Sequence, residues 1–199
     1  MNALRMVTVL AILTLSGCVQ MVKVESGQVT IRDTLTVTLD SARNRFEAPG
    51  VYLHVASGAH EIWTADGVPL DVIAFFVGVG EGQTLGEPLP QWEKKLPSFR
   101  ATMSPHEIVE LYEALATQDG SAFKLTRLAP AQFAGVQGFR FEHVLTTKRD
   151  SLQLGGIAYG AVVNGRLYLL SYTAPRSYYF SKHLPGFEAI ARSAQIRVK

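Results

Sequence analysis

The sequence has one cysteine, Cys18, so no disulfide bond within the chain can stabilise the fold. It also has no block of like charge, because 19 basic residues are interspersed with 17 acidic ones and the formal net charge is +2. A nucleic-acid-binding surface or a polybasic membrane-binding segment is therefore not predicted. With 47% hydrophobic and 18% charged residues, the chain has the ordinary composition of a globular protein that buries its own core.

The short motifs that mark common catalytic sites are absent as well. No G-x-S-x-G turn occurs, and the five histidines never fall in H-E-x-x-H or H-x-x-E-H order. The glycines of 78–82 lack the lysine and the following helix of a phosphate-binding loop. The sequence thus predicts no catalytic residue, no cofactor and no metal site, and only His54 and His60 are close enough in sequence to be tested as metal ligands.

The N-terminus contains a targeting signal. Arg5 is followed by the apolar run Met6 to Leu15 and then by Leu15-Ser16-Gly17-Cys18. A basic start, an apolar segment of this length and small residues before the cleavage point are typical of a secretory signal. A membrane-spanning helix needs about 20 mainly apolar residues, and residues 6–22 are too short and too interrupted by polar ones.

Leu15-Ser16-Gly17-Cys18 resembles the bacterial lipobox. The resemblance implies that residues 1–17 are removed, that Cys18 is acylated, and that several acyl chains on this one residue hold the protein on a membrane. It also implies a bacterial envelope location, and Val19 in place of aspartate favours the outer membrane, facing the periplasm. We therefore assign 18–28 to the lipidated cysteine and a short tether, and 29–199 to a single domain.

The first half of the domain is predicted to be rich in strands. Alternation over 29–39 indicates a half-buried strand that is broken near Asp33, followed by a loop over 41–50 and a short strand over 51–55. Asp66-Gly67 predicts a hairpin between Glu61–Thr64 and the apolar run 70–79, which should be covered on both faces. Glycines and prolines over 78–90 predict a long exposed loop.

The second half combines helices with strands. Ser104-Pro105-His106-Glu107 is a capping box that predicts a helix ending near 118–120. Strands are predicted over 123–128 and 139–145, where His143 should carry a hydrogen-bonded ring nitrogen. Asn164-Gly165 predicts a tight antiparallel hairpin. After Pro175 the apolar spacing becomes helical, and Pro185-Gly186 is predicted to divide the final helix into two pieces.

This order of elements indicates an α+β fold in which helices cover a mainly antiparallel sheet. Over residues 29–196 the order resembles the PsbP-like fold of photosystem extrinsic subunits and of DcrB-like bacterial lipoproteins. The resemblance implies a non-enzymatic accessory or interaction domain. Together with the predicted anchor and the lack of a catalytic motif, it leads to the hypothesis that the domain binds another envelope protein.

Two surfaces are candidates for that contact. The loop over 78–97 should expose three apolar side chains, Leu85, Leu89 and Trp92. Arg176 and Tyr178 are also candidates, since arginine and tyrosine are common at binding hot spots, although packing of the final helix on the core is the favoured interpretation of the aromatic run 178–180.

Two other functions stay open at this point. The first is an envelope hydrolase with a site assembled from Glu61, Asp66, Asp71 and a distant histidine, which requires these side chains to share a cleft. The second is a carrier of a small apolar ligand, which requires a cavity between the sheet and a helix.

Overall fold

A computed structural model describes residues 20–47, 56, 58–88 and 95–197. The predicted signal peptide, Cys18, the strand predicted over 51–55 and the side chains of His54, Leu89 and Trp92 lie outside these ranges. Within the ranges, neither helix is both long and apolar enough to cross a membrane.

Eleven strands and two helices follow one another along the described chain. Their bounds are β1 Gln20–Val24, β2 Gly27–Ile31, β3 Leu35–Leu39, β4 Arg43–Glu47, β5 Glu61–Thr64, β6 Val72–Val79, α1 Pro105–Ala116, β7 Ala122–Phe133, β8 Val136–Thr146, β9 Gln153–Val163, β10 Arg166–Pro175, α2 Tyr179–Ser193 and β11 Gln195–Ile196.

Eight of the strands form one sheet in the order β1-β4-β5-β6-β10-β9-β8-β7, and the others form a small sheet in the order β11-β3-β2. All pairs are antiparallel. β1, β5 and β10 therefore run in the same direction, and we call the end of the large sheet at which β10 begins the Arg166 end. The other end, where β5 and β10 finish, is called the Pro175 end.

The large sheet is covered on both faces. On one face α2 and the small sheet enclose a core that includes Trp63, Phe75 and Tyr172. On the other face α1 and the chain before it enclose a second core that includes Phe76 and Tyr112. The coverage predicted for β6 is confirmed, and so is an antiparallel sheet with helices against it.

The N-terminal part of the domain contains more strands than the sequence predicted. The break near Asp33 is confirmed as a tight turn between β2 and β3, with Arg32 and Asp33 at φ values of 48° and 58°. Residues 20–28, which were assigned to the tether, instead form β1 and the start of β2. The loop predicted over 41–50 is wrong for 43–47, because β4 pairs with β1 on one side and β5 on the other, and this pairing outweighs its polar composition.

The predicted hairpins and the first helix are confirmed. β5 pairs with β6 across the turn that contains Asp66-Gly67, and β9 pairs with β10 across Asn164-Gly165. At the start of α1 the Ser104 hydroxyl accepts from the Glu107 amide (3.4 Å), and the Glu107 carboxylate accepts from the Ser104 amide (2.7 Å). Local chemistry was sufficient to predict each of these features.

The predicted division of the final helix is wrong, because α2 runs unbroken through Pro185. Proline removes one donor from the helix but leaves the helix beyond it free to pack. Phe187, Ile190 and Ala191 are buried on the sheet, so tertiary packing holds the two halves in line. Gly186 lets the helix approach Arg43, whose Nη2 would lie 2.9 Å from a Cβ at that position.

The two edges of the large sheet differ. β7 is a twelve-residue edge strand that contains Pro130, and its pairing with β8 shifts register between Leu125 and Arg127. β1 is a short edge strand at the opposite side.

Candidate functional site

The turn between β5 and β6 is built on a buried carboxylate. Asp71 accepts hydrogen bonds from the Thr64 hydroxyl and from the main-chain N–H groups of Ala65 and Asp66, each at 2.7 Å. The Thr64 hydroxyl in turn accepts from the Gly67 amide at 2.8 Å. Each of the two carboxylate oxygens of Asp71 thus accepts from at least one donor of the turn. Asp71 therefore fixes the shape of the turn.

Asp66, at the tip of this turn, links the hairpin to the first turns of α2. Its Oδ2 atom accepts from the Lys182 ammonium and lies 2.7 Å from the Nε2 atom of His183. The hydrogen bonds from Lys182 and His183 hold the pKa of Asp66 below its ordinary value, and the same contact raises the pKa of Lys182. We call these three residues the Asp66 latch.

The structure brings together three of the four side chains required for the predicted hydrolase site. Ligand atoms of Asp66, Asp71 and His183 lie within 4.8 Å of one another, so His183 is the distant histidine. Glu61 does not join them, since its carboxylate accepts from the Trp63 indole N–H at 2.8 Å.

These three side chains are a poor cation site. The Lys182 ammonium already occupies the Oδ2 atom of Asp66 that a metal would use, and the Asp71 oxygens accept from hydroxyl and amide donors. A cation would have to displace a positive charge and break the hydrogen bonds that shape the turn. The arrangement is better suited to fastening a hairpin to a helix than to holding a metal or activating a nucleophile.

Two further polar side chains lie beneath the latch region. The Tyr172 hydroxyl donates to the Tyr179 carbonyl at 2.8 Å, and burial, followed by the negative charge of Asp71, raises its pKa. The Arg43 side chain is buried, with its Nη2 atom 3.9 Å from Asp40. Its Nε atom has no hydrogen-bond partner in the described part of the chain.

Tyr178, just before α2, is the most exposed large hydrophobic side chain in the described ranges, at 57%. The Lys182 ammonium lies 5.6 Å from its ring centroid and 5.8 Å from that of Tyr179, so a cation–π contact holds the ring in place. Arg176 is exposed beside it, and its guanidinium donates to the Gln153 side chain at 3.1 Å. We call Arg176, Tyr178 and Lys182 the Tyr178 patch.

The Tyr178 patch corrects one interpretation of the sequence. Core packing was favoured for the whole aromatic run, and it describes Phe180, which stacks on Tyr172 with centroids 5.5 Å apart. It is wrong for Tyr178, because this residue precedes the helix and is largely exposed. A shallow groove of about 400 Å³, lined by Leu152, Gln153, Arg176 and Ser177, opens beside the patch.

The loop after β6 is less exposed than predicted. Leu85 is only 3% exposed, so its assignment as a surface contact is wrong. Main-chain hydrogen bonds from Gly82 to Phe99 (2.9 Å) and from Phe99 to Gln83 (2.7 Å) fold the loop back onto the sheet and bury the leucine in the α1-side core. Leu89 and Trp92 lie outside the described ranges, and their role stays a prediction.

The same loop forms one wall of an open pocket at the Arg166 end, with a volume of about 430 Å³. His60 lines the pocket, and its Nδ1 atom accepts from the Val77 amide at 2.9 Å. Burial is the main cause that lowers the pKa of His60. Gly58 lies so close to this loop that a Cβ atom at position 58 would be 2.3 Å from the Gly86 Cα atom.

Neither this pocket nor the groove beside Tyr178 lies between the sheet and a helix, where a carrier of an apolar ligand requires its cavity. Both open at surface loops. The geometry of these two sites therefore gives no support to the carrier hypothesis.

His143 was predicted to be a strand residue with a hydrogen-bonded nitrogen. The strand is confirmed, but the hydrogen bond is wrong, because both ring nitrogens are buried without a partner in the described structure. The ring stacks on Phe123 (centroids 4.6 Å apart) and contacts Tyr112 (5.3 Å) and Phe141 (5.8 Å). Burial lowers the pKa of His143 to about 3, so the imidazole is neutral.

Comparison with known proteins identifies the fold. No protein-family model matches the chain, and no curated protein matches it significantly in sequence. Among solved structures, the solution structure of cyanobacterial PsbP (CyanoP) from Synechocystis sp. PCC 6803 is similar, with a TM-score of 0.56 over 92% of this chain and 95% of that one. The fold is PsbP-like. At 10% identity the PsbP-like fold is all that this similarity shows.

Proposed function

We propose that this protein is a lipid-anchored, non-enzymatic accessory module of the bacterial envelope, and that its PsbP-like domain binds another envelope protein through the Tyr178 patch. The anchor rests on the resemblance of Leu15-Ser16-Gly17-Cys18 to a lipobox. The accessory role is supported by the similarity to a cyanobacterial PsbP. The valine after Cys18 supports an outer-membrane location facing the periplasm.

The observation that carries the binding role is the ordered exposure of Tyr178. A single exposed apolar side chain is ordinary, but this ring is fixed by Lys182, and Lys182 is itself fixed by Asp66. An aromatic side chain that is already ordered loses little conformational entropy when it binds. Arg176 and Lys182 place positive charge on the same surface, so the patch suits a protein surface that offers an apolar pocket rimmed by carboxylates.

Photocrosslinking tests the patch directly. The photoreactive phenylalanine analogue p-benzoylphenylalanine is placed at position 178 of the full precursor, and cells are irradiated. We expect a discrete crosslinked species containing one other envelope protein. The matched control carries the same analogue at Arg149, which is 90% exposed at the same end of the sheet and lies outside the patch. Equal crosslinking at both positions, or none at 178, would contradict the binding role.

The anchor has a separate test. Replacing Cys18 with alanine should leave an unprocessed precursor that incorporates no labelled fatty acid, because the acylated thiol is lost. Undiminished acylation of this variant would contradict the proposed anchor, and recovery of the wild-type protein only in inner membranes would contradict the proposed outer-membrane location.

A further inference from the structure

The distance between the proposed lipid and the folded domain is very short. β1 begins at Gln20, and all five of its residues pair with β4. Only Val19 separates Gln20 from Cys18. Because each residue extends the chain by at most about 3.6 Å, the Cα atom of Gln20 lies within about 7 Å of that of Cys18.

An apolar pair of side chains lies one residue beyond Gln20. Met21 is 45% exposed on the edge strand, and its cross-strand partner on β4 is Phe46, which is half-buried. Residues that face each other across two strands project from the same side of the sheet. Lys23 projects from that side as well, two residues farther along β1, and its exposed ammonium lies 2.9 Å from Glu25. We call Met21 and Phe46 the Met21 corner.

We propose that the Met21 corner rests in the lipid interface and fixes the orientation of the domain on the membrane. This inference rests on the proposed lipidation of Cys18. The acyl chains hold Cys18 at the boundary between headgroups and hydrocarbon, and the short connection holds Met21 within about 11 Å of it. An apolar side chain at that depth exchanges water for lipid, while Lys23 remains at the level of the phosphates.

The orientation places the Tyr178 patch away from the proposed lipid contact. Pairing across β4, β5 and β6 puts Val22 level with Tyr172, so the Met21 corner lies about 13 Å before Pro175 along the strand direction. Four strand spacings of about 4.8 Å also separate β1 from β10 across the sheet, which adds about 19 Å. A patch this far from the lipid contact is expected to stay in the aqueous compartment, where a partner protein can reach it.

The orientation can be measured because Cys18 is the only native cysteine and is blocked when it is acylated. Met21→Cys and Ser177→Cys each add one free thiol, in the Met21 corner and beside the Tyr178 patch, for an environment-sensitive fluorophore. The acylated proteins are reconstituted into phosphatidylethanolamine–phosphatidylglycerol vesicles that contain a lipid with a nitroxide near the headgroup. We expect severalfold stronger quenching at position 21 than at position 177, and Lys23→Cys provides a second test if Met21→Cys fails to fold.

A spacer variant provides the matched control. Inserting twenty glycine and serine residues between Val19 and Gln20 gives a connection with an average span of about 25 Å. Acylation and vesicle binding should be unchanged, whereas quenching at position 21 should fall to the level at position 177. Equal quenching at the two positions without the spacer, or an unchanged difference with it, would overturn the orientation alone. A mature protein that carries no acyl group and does not bind vesicles would overturn the anchor and the orientation together.

Discussion

At the scale of single residues, the least expected feature is the neutral imidazole of His143 inside an aromatic core. Burying its two ring nitrogens costs free energy, and no hydrogen bond offsets that cost. The neighbouring strand accommodates the ring closely, since a Cβ at Gly156 would lie 2.0 Å from it. Gly156 on β9 therefore leaves the space that the His143 ring on β8 requires.

This buried imidazole should make stability depend on pH. The folded state keeps His143 neutral down to a pKa of about 3, whereas the unfolded chain binds a proton near pH 6.5. Between these values the unfolded state binds more protons, so the free energy of unfolding should fall as pH falls, by up to about 1.4 kcal/mol per pH unit from this residue. Urea unfolding at several pH values between 4 and 7 measures the slope.

Two variants separate the contribution of His143 to this slope from the contributions of other histidines. His143→Leu should remove that part of the slope, while His106→Gln, which changes an exposed histidine of α1, should leave it in place. His60 also has a lowered pKa and contributes in the same direction in all three proteins. A slope that His143→Leu does not change would contradict the assignment.

Gly165 is a second residue with a specific requirement, since its φ of 71° is unfavourable for any side chain with a Cβ atom. Gly165→Val should therefore lower the free energy of unfolding by about 1 kcal/mol or more, measured from the denaturant midpoint. Ser177→Val, at an exposed position outside a strand, is the control. A midpoint for Gly165→Val that equals that of the control would contradict the role of the turn.

At the scale of secondary-structure elements, the Asp66 latch connects a hairpin to a helix that lies more than a hundred residues away in sequence. Such a contact orders both partners, but the atoms involved are partly exposed, and surface ion pairs are weak. Its main effect is expected on the order of the Tyr178 patch and less on global stability.

We predict that Asp66→Asn lowers the free energy of unfolding by about 0.5–1 kcal/mol at low salt, and by less at high salt. Because the latch lowers the pKa of the carboxyl, this contribution is present above the ordinary carboxyl pKa and is lost as pH falls through the lowered one. Photocrosslinking from position 178 should also weaken. Glu113→Gln, on the exposed face of α1, is the control, and an equal effect of the two changes would contradict the latch.

The loop that contains Trp92 is a second element with a testable role. If the indole is exposed and contacts a partner, Trp92→Ala should fold normally and lose a co-purifying envelope protein. Trp63→Ala, which removes a fully buried indole, should instead lower the free energy of unfolding by about 3–5 kcal/mol. A Trp92 variant that unfolds as easily as the Trp63 variant, or that keeps its partner, would contradict the contact.

At the scale of the whole molecule, the sequence predicted the features that depend on neighbouring residues. It missed the features that depend on pairing between distant parts of the chain. The capping box at Ser104 and the Asn164-Gly165 turn depend on residues within one or two turns of chain, and both were found. β4 was missed because its polar residues become a strand only between β1 and β5. Asp66 and Asp71 were singled out, but no local pattern could select His183 from five histidines or identify Lys182 as the competing cation.

The packing of the loop after β6 could not be predicted from the sequence, for the same reason. Leu85 lies among glycines and prolines, a composition that indicates exposure. Its burial depends on hydrogen bonds to Phe99, and nothing in the residues around position 85 predicts where position 99 will be. Tyr178 is the opposite case, a residue that was predicted to be buried and is exposed. Its aromatic neighbours suggested a core position, but it lies just before the first residue of α2.

The long outer strand β7 has a consequence for the proposed anchoring of this protein on a membrane. Anchored molecules meet in two dimensions, where unpaired strand edges of neighbouring copies find each other easily and can join into a continuous sheet. Pro130 presents no N–H group on β7, and the irregular pairing between Leu125 and Arg127 prevents a straight approach. The opposite edge, β1, is only five residues long and begins beside the proposed anchor, so a second copy would have little room to add there. Dense packing of the proposed lipid-anchored form is thereby compatible with molecules that remain separate and keep their outward surfaces free.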